Sequence, residues 1–204
     1  MLTLGITTGQ AIEAALLGSG VKRSAAGSAQ ALDALLGCIT RILDESGRTL
    51  DDVSLIAVCT GPGSFTGLRI GVSFAKAVAQ ARGLPLVGVS AYDVVEETLP
   101  PAYPRIALIE AKRGYFYARI VEEEGAAARF VHGDDRSGTD ILTLAPQPIL
   151  SAQRAFFSPG ERAEIVARRG RRLHDAGAVG DWRKLVIDYG QRPSAEVKRF
   201  KRDD

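Results

Sequence analysis

GPGSFTGLR, residues 61–69, joins a short β-branched run at residues 53–59 to a helical pattern that ends near Gly83. A buried strand that runs through a glycine-rich turn into a helix is typical of α/β proteins. The start of a helix carries unpaired N–H groups, which favour an anion or a carbonyl oxygen nearby. Ser64 or Thr66 is expected to cap this helix. The stretch therefore predicts an α/β sheet with a candidate site at its glycine turn.

This turn fits neither common phosphate-binding pattern. A Walker A loop needs Lys and then Ser or Thr after its last glycine, but Leu68 and Arg69 follow Gly67. The dinucleotide fingerprint needs a third glycine at position six, where the chain has Thr66. Two interpretations stay open: a binding turn, and a tight structural turn that leads into a capped helix. We define the glycine loop as Gly61, Pro62, Gly63, Ser64, Phe65, Thr66, Gly67 and Arg69.

The helix after the loop has two different faces. Gly71, Ala75 and Ala79 lie four residues apart on one face, and larger apolar residues line the other. A face of small residues lets another helix approach closely, so it is a candidate protein interface. The alternative is a helix fully buried in its own domain. Arg69 stands in the first helical turn, where a cation opposes the helix dipole, and it is therefore expected to have a compensating carboxylate, phosphate or carbonyl partner.

The rest of the chain predicts an α/β domain with a mixed sheet, followed by a less regular half. Prolines at residues 98–104 mark the expected boundary, giving lobes at 1–99 and 100–204. Residues 123–160 predict loops with one or two short strands. The expected elements are a hairpin within residues 2–17, a helix at 28–46, strands at 53–59 and 84–89, helices at 66–82 and 91–97, strands at 105–109 and 115–122, and a helix at 161–176.

Composition indicates a soluble globular chain, with 46% hydrophobic and 25% charged residues among 204. No stretch approaches the roughly 20 apolar residues of a membrane span, and the N-terminus lacks a signal-peptide pattern, so we expect a cytoplasmic location. Residues 151–204 hold 13 Lys and Arg against 8 Asp and Glu, which leaves +5 there and −3 in residues 1–150. This basic segment is either a solvated surface or a contact for an acidic partner.

Catalytic candidates are thin. Neither histidine lies in a metal-binding pattern, and the two cysteines, Cys38 and Cys59, stand alone in apolar runs. Ser64 follows its glycine directly, which is the wrong spacing for a hydrolase nucleophile elbow. The sequence therefore predicts no catalytic residue, no metal site and no intrinsic cofactor.

Several segments together resemble the bacterial TsaB family, also called YeaZ, of the threonylcarbamoyladenosine tRNA-modification pathway. The glycine loop within GPGSFTGLRIG is followed by LPLVGVSAYD at residues 84–93, and MLTLGITTG resembles the family's opening strand and turn. ALIEAKRGYFYARI at residues 107–120 resembles its second-lobe strand pair, and DYGQRPSAEVKR resembles its closing segment. The resemblance covers most of the chain and is weakest at residues 123–160.

This resemblance implies an actin, Hsp70 and sugar-kinase-like (ASKHA) fold, with two related lobes built on mixed sheets and the second lobe reduced. It implies a non-catalytic partner subunit of the TsaD threonylcarbamoyltransferase, together with a TsaE-like ATPase. It leaves open ATP or ADP at the complex boundary, a tRNA contact through the complex, and a homodimer when the chain is alone. The family's heterodimer helices map to residues 28–46 and 67–82. The expected interface residues are Leu35, Ile39, Ile42, Gly71, Ala75 and Ala79.

The chain also departs from the family pattern. Thr7 stands where the family's first strand usually has Asp, and Glu110-Ala111-Lys112 replaces Asp-Ala-Arg. The alternative function is a stand-alone enzyme of the same fold, either a peptidase or a small-molecule phosphotransferase. If the small-residue face is the interface, Gly71→Leu or Ala75→Leu should weaken the complex more than the fold.

Overall fold

The computed structural model describes residues 1–27, 32–99, 101–110, 116–133, 157–178 and 180–190. Within these ranges the chain forms two sheets and four α-helices. The elements are β1 (Thr3–Thr7), β2 (Ile12–Gly18), β3 (Val21–Gly27), α1 (Leu32–Ser46), a 3-10 turn (Leu50–Asp52), β4 (Leu55–Gly61), α2 (Phe65–Arg82), β5 (Leu86–Ser90), α3 (Ala91–Glu96), β6 (Arg105–Glu110), β7 (Phe116–Val121), β8 (Arg129–Gly133) and α4 (Glu161–Asp175).

The first sheet is mixed, as the sequence predicts. Its strand order is β3-β2-β1-β4-β5, in which β3, β2 and β1 pair antiparallel while β1, β4 and β5 pair parallel. The second sheet, β6-β7-β8, is antiparallel over its described strands. A mixed sheet with helices packed on both faces agrees with the expected ASKHA-like fold.

Alternate residues of β1 separate the two faces of the first sheet. Leu4 and Ile6 are fully buried in the core under α1 and α2. Gly5 points the other way, and a Cβ atom there would lie 2.3 Å from the carbonyl oxygen of Ala163 in α4. A Cβ atom on Gly170 of α4 would lie 2.3 Å from the Cβ of Ala57 in β4. The small residues on this face therefore let α4 lie directly on the sheet.

Helix α4 belongs to the second half of the chain but covers the first sheet. It packs on β1, β2, β4 and β5 on the face opposite α1 and α2. The division into lobes at 1–99 and 100–204 stays a prediction. Helix α4 belongs to the second predicted lobe but packs on strands of the first.

Most elements agree with the sequence prediction, including the Ser64 cap of α2. Ser64 caps α2, Gly83 ends it in the left-handed conformation with φ of 64°, and Ser90 caps α3. From the sequence, Ser158 or Pro159 is expected at the start of the last helix, and this prediction is wrong, since Gly160 is the N-cap of α4. Strand β8 is a short strand of the kind expected within residues 123–160, and residues 134–156 of that range lie outside the described part.

Strand β3 is absent from the sequence prediction. Its sequence, VKRSAAG, holds one β-branched residue and no alternation of apolar and polar side chains, so it carries no strand signal of its own. Its place in the sheet comes from pairing with β2 along its whole length.

Candidate functional site

The glycine loop is fastened to the turn between β1 and β2. The Ser64 N–H donates to the Gly9 carbonyl at 2.7 Å, and the Ser64 hydroxyl accepts the Gly67 N–H at 3.4 Å. The Leu68 N–H donates to the Ser64 carbonyl at 2.8 Å as the helix begins. These N–H groups are used inside the chain, so the loop has fewer free donors for an anion than a phosphate cradle offers. This geometry favours the structural-turn interpretation.

Glycine is required in this loop because the backbone of another segment occupies the space of a side chain. A Cβ atom on Gly67 would lie 2.0 Å from the Thr8 carbonyl oxygen, and one on Gly71 would lie 2.2 Å from the Thr8 hydroxyl. Gly61 has φ of 109°, and a Cβ there would lie 2.1 Å from the Asp188 carbonyl oxygen. The small face of α2 therefore serves close packing against β1 and the strand-end turn.

The expected interface residues lie inside the core, which contradicts their assignment to a partner surface. Leu35, Ile42, Ala75 and Ala79 are fully buried, and Ile39 is 4% exposed. Gly71 is buried against Thr8. The physical reason is that a helix places its smallest face where it must approach its own sheet most closely. Gly71→Leu and Ala75→Leu are therefore expected to break the fold itself rather than to weaken mainly the complex.

The same two helices present a second, outward face. Leu32 and Leu36 of α1 are 46% and 41% exposed. Ile70 and Phe74 of α2 are half-buried against the core. We call these four residues the outer helix face. Large apolar side chains that stay exposed on a helix are typical of a protein interaction surface.

Arg69 has a partner, as expected, but it is aromatic. Its Nε–H donates to the Tyr189 hydroxyl at 3.4 Å, and its guanidinium carbon lies 4.3 Å from the centre of the Phe65 ring. The Phe65 and Tyr189 rings are 4.6 Å apart with a 30° tilt. No ion pair joins Arg69 to any carboxylate in the described part of the chain.

Tyr189 reaches the loop through a segment whose contacts the sequence does not predict. The Asp188 N–H donates to the Thr60 carbonyl at 2.9 Å, and the Gly180 carbonyl accepts the Leu86 N–H at 3.1 Å. We call residues 180–190 the strap. Its half-buried apolar side chains pack on the core beneath α1 and α2, and they are Trp182, Leu185 and Ile187. The sequence signal for the strap is the set of apolar residues spaced along WRKLVIDY. Their spacing alone does not show which part of the molecule they pack against.

A buried ion pair lies behind the first hairpin. Glu13 is 2% exposed, and its carboxylate accepts from the Arg162 guanidinium and from the Ala163 N–H, both at 3.2 Å. Burial raises the pKa of Glu13, and the charge of Arg162 and the hydrogen bond from Ala163 offset part of that rise. Glu13 thereby caps α4 from a distant strand, because Gly160 has no side chain for that purpose.

Thr7 and Cys59 border a small cavity beside this pair. The cavity is also lined by Pro62 and Arg162. Burial raises the pKa of the Cys59 thiol, which disfavours the thiolate that a nucleophile requires. Thr7 is buried, and its hydroxyl replaces the acidic side chain expected of the family. No group of three potential metal ligands occurs among the described residues.

The basic residues of α4 are engaged by acidic ones. The Glu97 carboxylate pairs with guanidinium nitrogens of Arg169 at 3.1 Å, Arg172 at 3.0 Å and Arg168 at 3.4 Å. Burial alone would raise the pKa of Glu97, but these arginines lower it below its ordinary value. The basic surface is therefore partly neutralised here. The remaining basic run of that segment, Lys198, Arg199, Lys201 and Arg202, lies outside the described residues. No described helix has the length and apolar character needed to cross a membrane.

Comparison with known proteins gives one matching family model and several similar proteins. Residues 21–143 match the family model described as TsaD: tRNA N6-adenosine threonylcarbamoyltransferase, which is more than half of the chain. The chain is 36% identical over 148 residues to the tRNA N6-adenosine threonylcarbamoyltransferase of Streptococcus pneumoniae (strain TIGR4), a match covering 71% of the chain and 43% of that protein. It is 45% identical over 56 residues to the tRNA threonylcarbamoyladenosine biosynthesis protein TsaB of Escherichia coli K12, covering 28% of the chain and 24% of that protein.

The chain thus spans less than half the length of these curated relatives. Its fold matches a solved structure of YeaZ from Pseudomonas aeruginosa with a TM-score of 0.65 at 20% identity. That match covers 92% of the chain and 98% of the solved one. A second solved structure, described as an uncharacterized protein with similarity to peptidase YEAZ from Pseudomonas aeruginosa, matches with a TM-score of 0.67 at 22% identity, covering 92% and 97%.

Proposed function

Because the chain belongs to the family whose model is described as TsaD: tRNA N6-adenosine threonylcarbamoyltransferase, and is similar to TsaB in part of its sequence and to YeaZ in its fold, we propose that it acts as a non-catalytic partner subunit of a TsaD-like threonylcarbamoyltransferase. In this proposal it works in the cytoplasm. Contact with its surface stabilises the active arrangement of a larger subunit that holds the reactive groups. A TsaE-like ATPase joins the same assembly. The outer helix face is the observation that carries the proposal.

The chemistry of the outer helix face suits an apolar contact with another protein. Leu32 and Leu36 of α1 expose apolar side chains, Ile70 and Phe74 of α2 are half-buried, and Gly37 follows Leu36 in the chain. Transfer of such side chains from water into an interface is favourable by roughly 25 cal/mol per Å². A glycine on the helix surface lets a second helix approach closely.

The residues around the small cavity also support a non-catalytic role. Arg162 is committed to Glu13, and Cys59 is held as a thiol by burial. Thr7 offers a hydroxyl where the family pattern has a carboxylate. The residues that border the cavity therefore lack an activated nucleophile paired with a base.

Leu36→Asp should weaken binding to the TsaD-like protein of the same genome at least tenfold, because a carboxylate would be desolvated in an apolar interface. Isothermal titration calorimetry of the two purified proteins measures the change. Val186→Asp is the matched control, since Val186 is 77% exposed and lies on the strap rather than on the outer helix face. Both variants should keep the wild-type melting temperature.

Two outcomes would count against the proposal. Separate elution of the wild-type chain and the TsaD-like protein in size-exclusion chromatography at micromolar concentration would remove its basis. Turnover of ATP or cleavage of peptides by the lone chain, abolished by Cys59→Ala or Arg162→Met, would instead favour a stand-alone enzyme. Light scattering of the lone chain tests the homodimer.

A further inference from the structure

We propose that Arg69 is the charged anchor of the partner interface and receives an Asp or Glu side chain of the partner protein. This inference rests on the proposed function and specifies the chemistry that the partner brings. It follows from the contacts of the guanidinium. Aromatic residues hold one side of it, and the other side contacts no carboxylate among the described residues.

The fixed side consists of two aromatic residues. Phe65 lies under the guanidinium, and Tyr189 accepts its Nε–H. A stacked guanidinium loses less side-chain entropy on binding than a freely rotating one. Arg69 is therefore prepared for a partner before the partner arrives.

The open side offers the two terminal nitrogens. Neither nitrogen contacts a carboxylate among the described residues. Asp188, the acidic residue next to Tyr189, instead uses a carboxylate oxygen to accept the Gly190 N–H at 2.8 Å. Two parallel N–H groups match the two oxygens of a carboxylate, which is the strongest common ion-pair geometry in proteins. A carboxylate bound there would also offset the unfavourable position of Arg69 near the N-terminus of α2.

The surroundings favour a protein carboxylate over a nucleic-acid phosphate. Phe65, Thr66 and Ser73, the exposed residues within about one turn of Arg69 on α2, are uncharged. Lys76 is half-buried two turns along, and Arg82, at the far end of the helix, is paired with an aspartate. A nucleic acid gains affinity from several cations in a patch, whereas a separate cation amid apolar and small residues is typical of a protein hot spot.

Arg69→Glu is expected to weaken binding to the TsaD-like protein at least tenfold, and Arg69→Lys three- to tenfold, because lysine keeps the charge but lacks the paired N–H groups. Tyr189→Phe should weaken binding two- to fivefold, since it frees the guanidinium without removing its charge. Calorimetry between 50 and 300 mM NaCl should show a flatter salt dependence for Arg69→Met than for wild type. Circular dichroism melts verify that each variant is folded.

The failures of the two proposals can be told apart. If Leu36→Asp weakens the complex while Arg69→Glu binds as tightly as wild type, the anchor is wrong and the subunit role stands. If the wild-type chain does not bind the TsaD-like protein, both are wrong. If Arg69→Glu binds that protein normally but loses affinity for unmodified tRNA in fluorescence anisotropy, the ligand of Arg69 is a phosphate and the carboxylate assignment is overturned.

Discussion

The Gly67→Ala variant is expected to lose at least about 3 kcal/mol of stability, although it adds a single methyl group to a helix. In most helices this substitution stabilises the protein, because alanine has a higher helix propensity than glycine. Here the new Cβ atom would lie 2.0 Å from the Thr8 carbonyl oxygen. That oxygen belongs to the backbone of the first hairpin turn, so it moves only if the glycine loop separates from the sheet.

Gly37→Ala supplies the matched control. Gly37 also lies within a helix and is exposed, and a Cβ atom added there would have no neighbour within 4 Å outside its own helix backbone. This variant should gain roughly 0.5–1 kcal/mol. Urea unfolding followed by circular dichroism measures both changes. Equal stability of the two variants would show that α2 does not lie against Thr8.

Arg162→Met is expected to lose about 3 kcal/mol at pH 8, because it leaves the buried carboxylate of Glu13 without its counter-charge. Burial already raises the pKa of Glu13, and loss of Arg162 should raise it further. A carboxyl whose pKa is raised by folding contributes stability that is present below its unfolded pKa and is lost as the pH rises through the folded value. The variant should therefore be less impaired at pH 5 than at pH 8.

Urea unfolding at the two pH values measures this difference. The double variant Glu13→Gln with Arg162→Met should recover part of the loss and show a weaker pH dependence, since no buried charge remains. An equal loss at pH 5 and pH 8 would mean that Arg162 acts by packing on Phe157, where its guanidinium carbon lies 4.1 Å from the ring centre.

Local signals in the sequence predict most of the first sheet and its helices. The β-branched run before Gly61, the helical spacing in α1 and the capping residues Ser64 and Ser90 each act over a few neighbours, so one sequence contains them. Strand β3 has no such signal, because its position depends on a partner strand. The antiparallel strands β6 and β7 have nearly the same bounds as the strands that the sequence predicts at residues 105–109 and 115–122.

The site is harder to predict than the fold. Periodicity shows that α2 has a small face and a larger apolar face, but both are compatible with burial, so the pattern does not say which one meets the sheet. The close approach of backbone to backbone, between Gly67 and Thr8, decides it. The sequence correctly predicts that Arg69 has a partner, yet its aromatic partner Tyr189 lies 120 residues along the chain. No local rule links two such positions.

The packing of α4 has a practical consequence for mapping where partners bind. A fragment that stops at residue 99 would retain both helices of the outer helix face but would leave the opposite side of β1 and β4 without its cover. Gly5 and Ala57, which lie against α4, would face water. Loss of binding by such a truncated fragment would report its collapse, and point substitutions in the intact chain are the sounder guide to the contact surface.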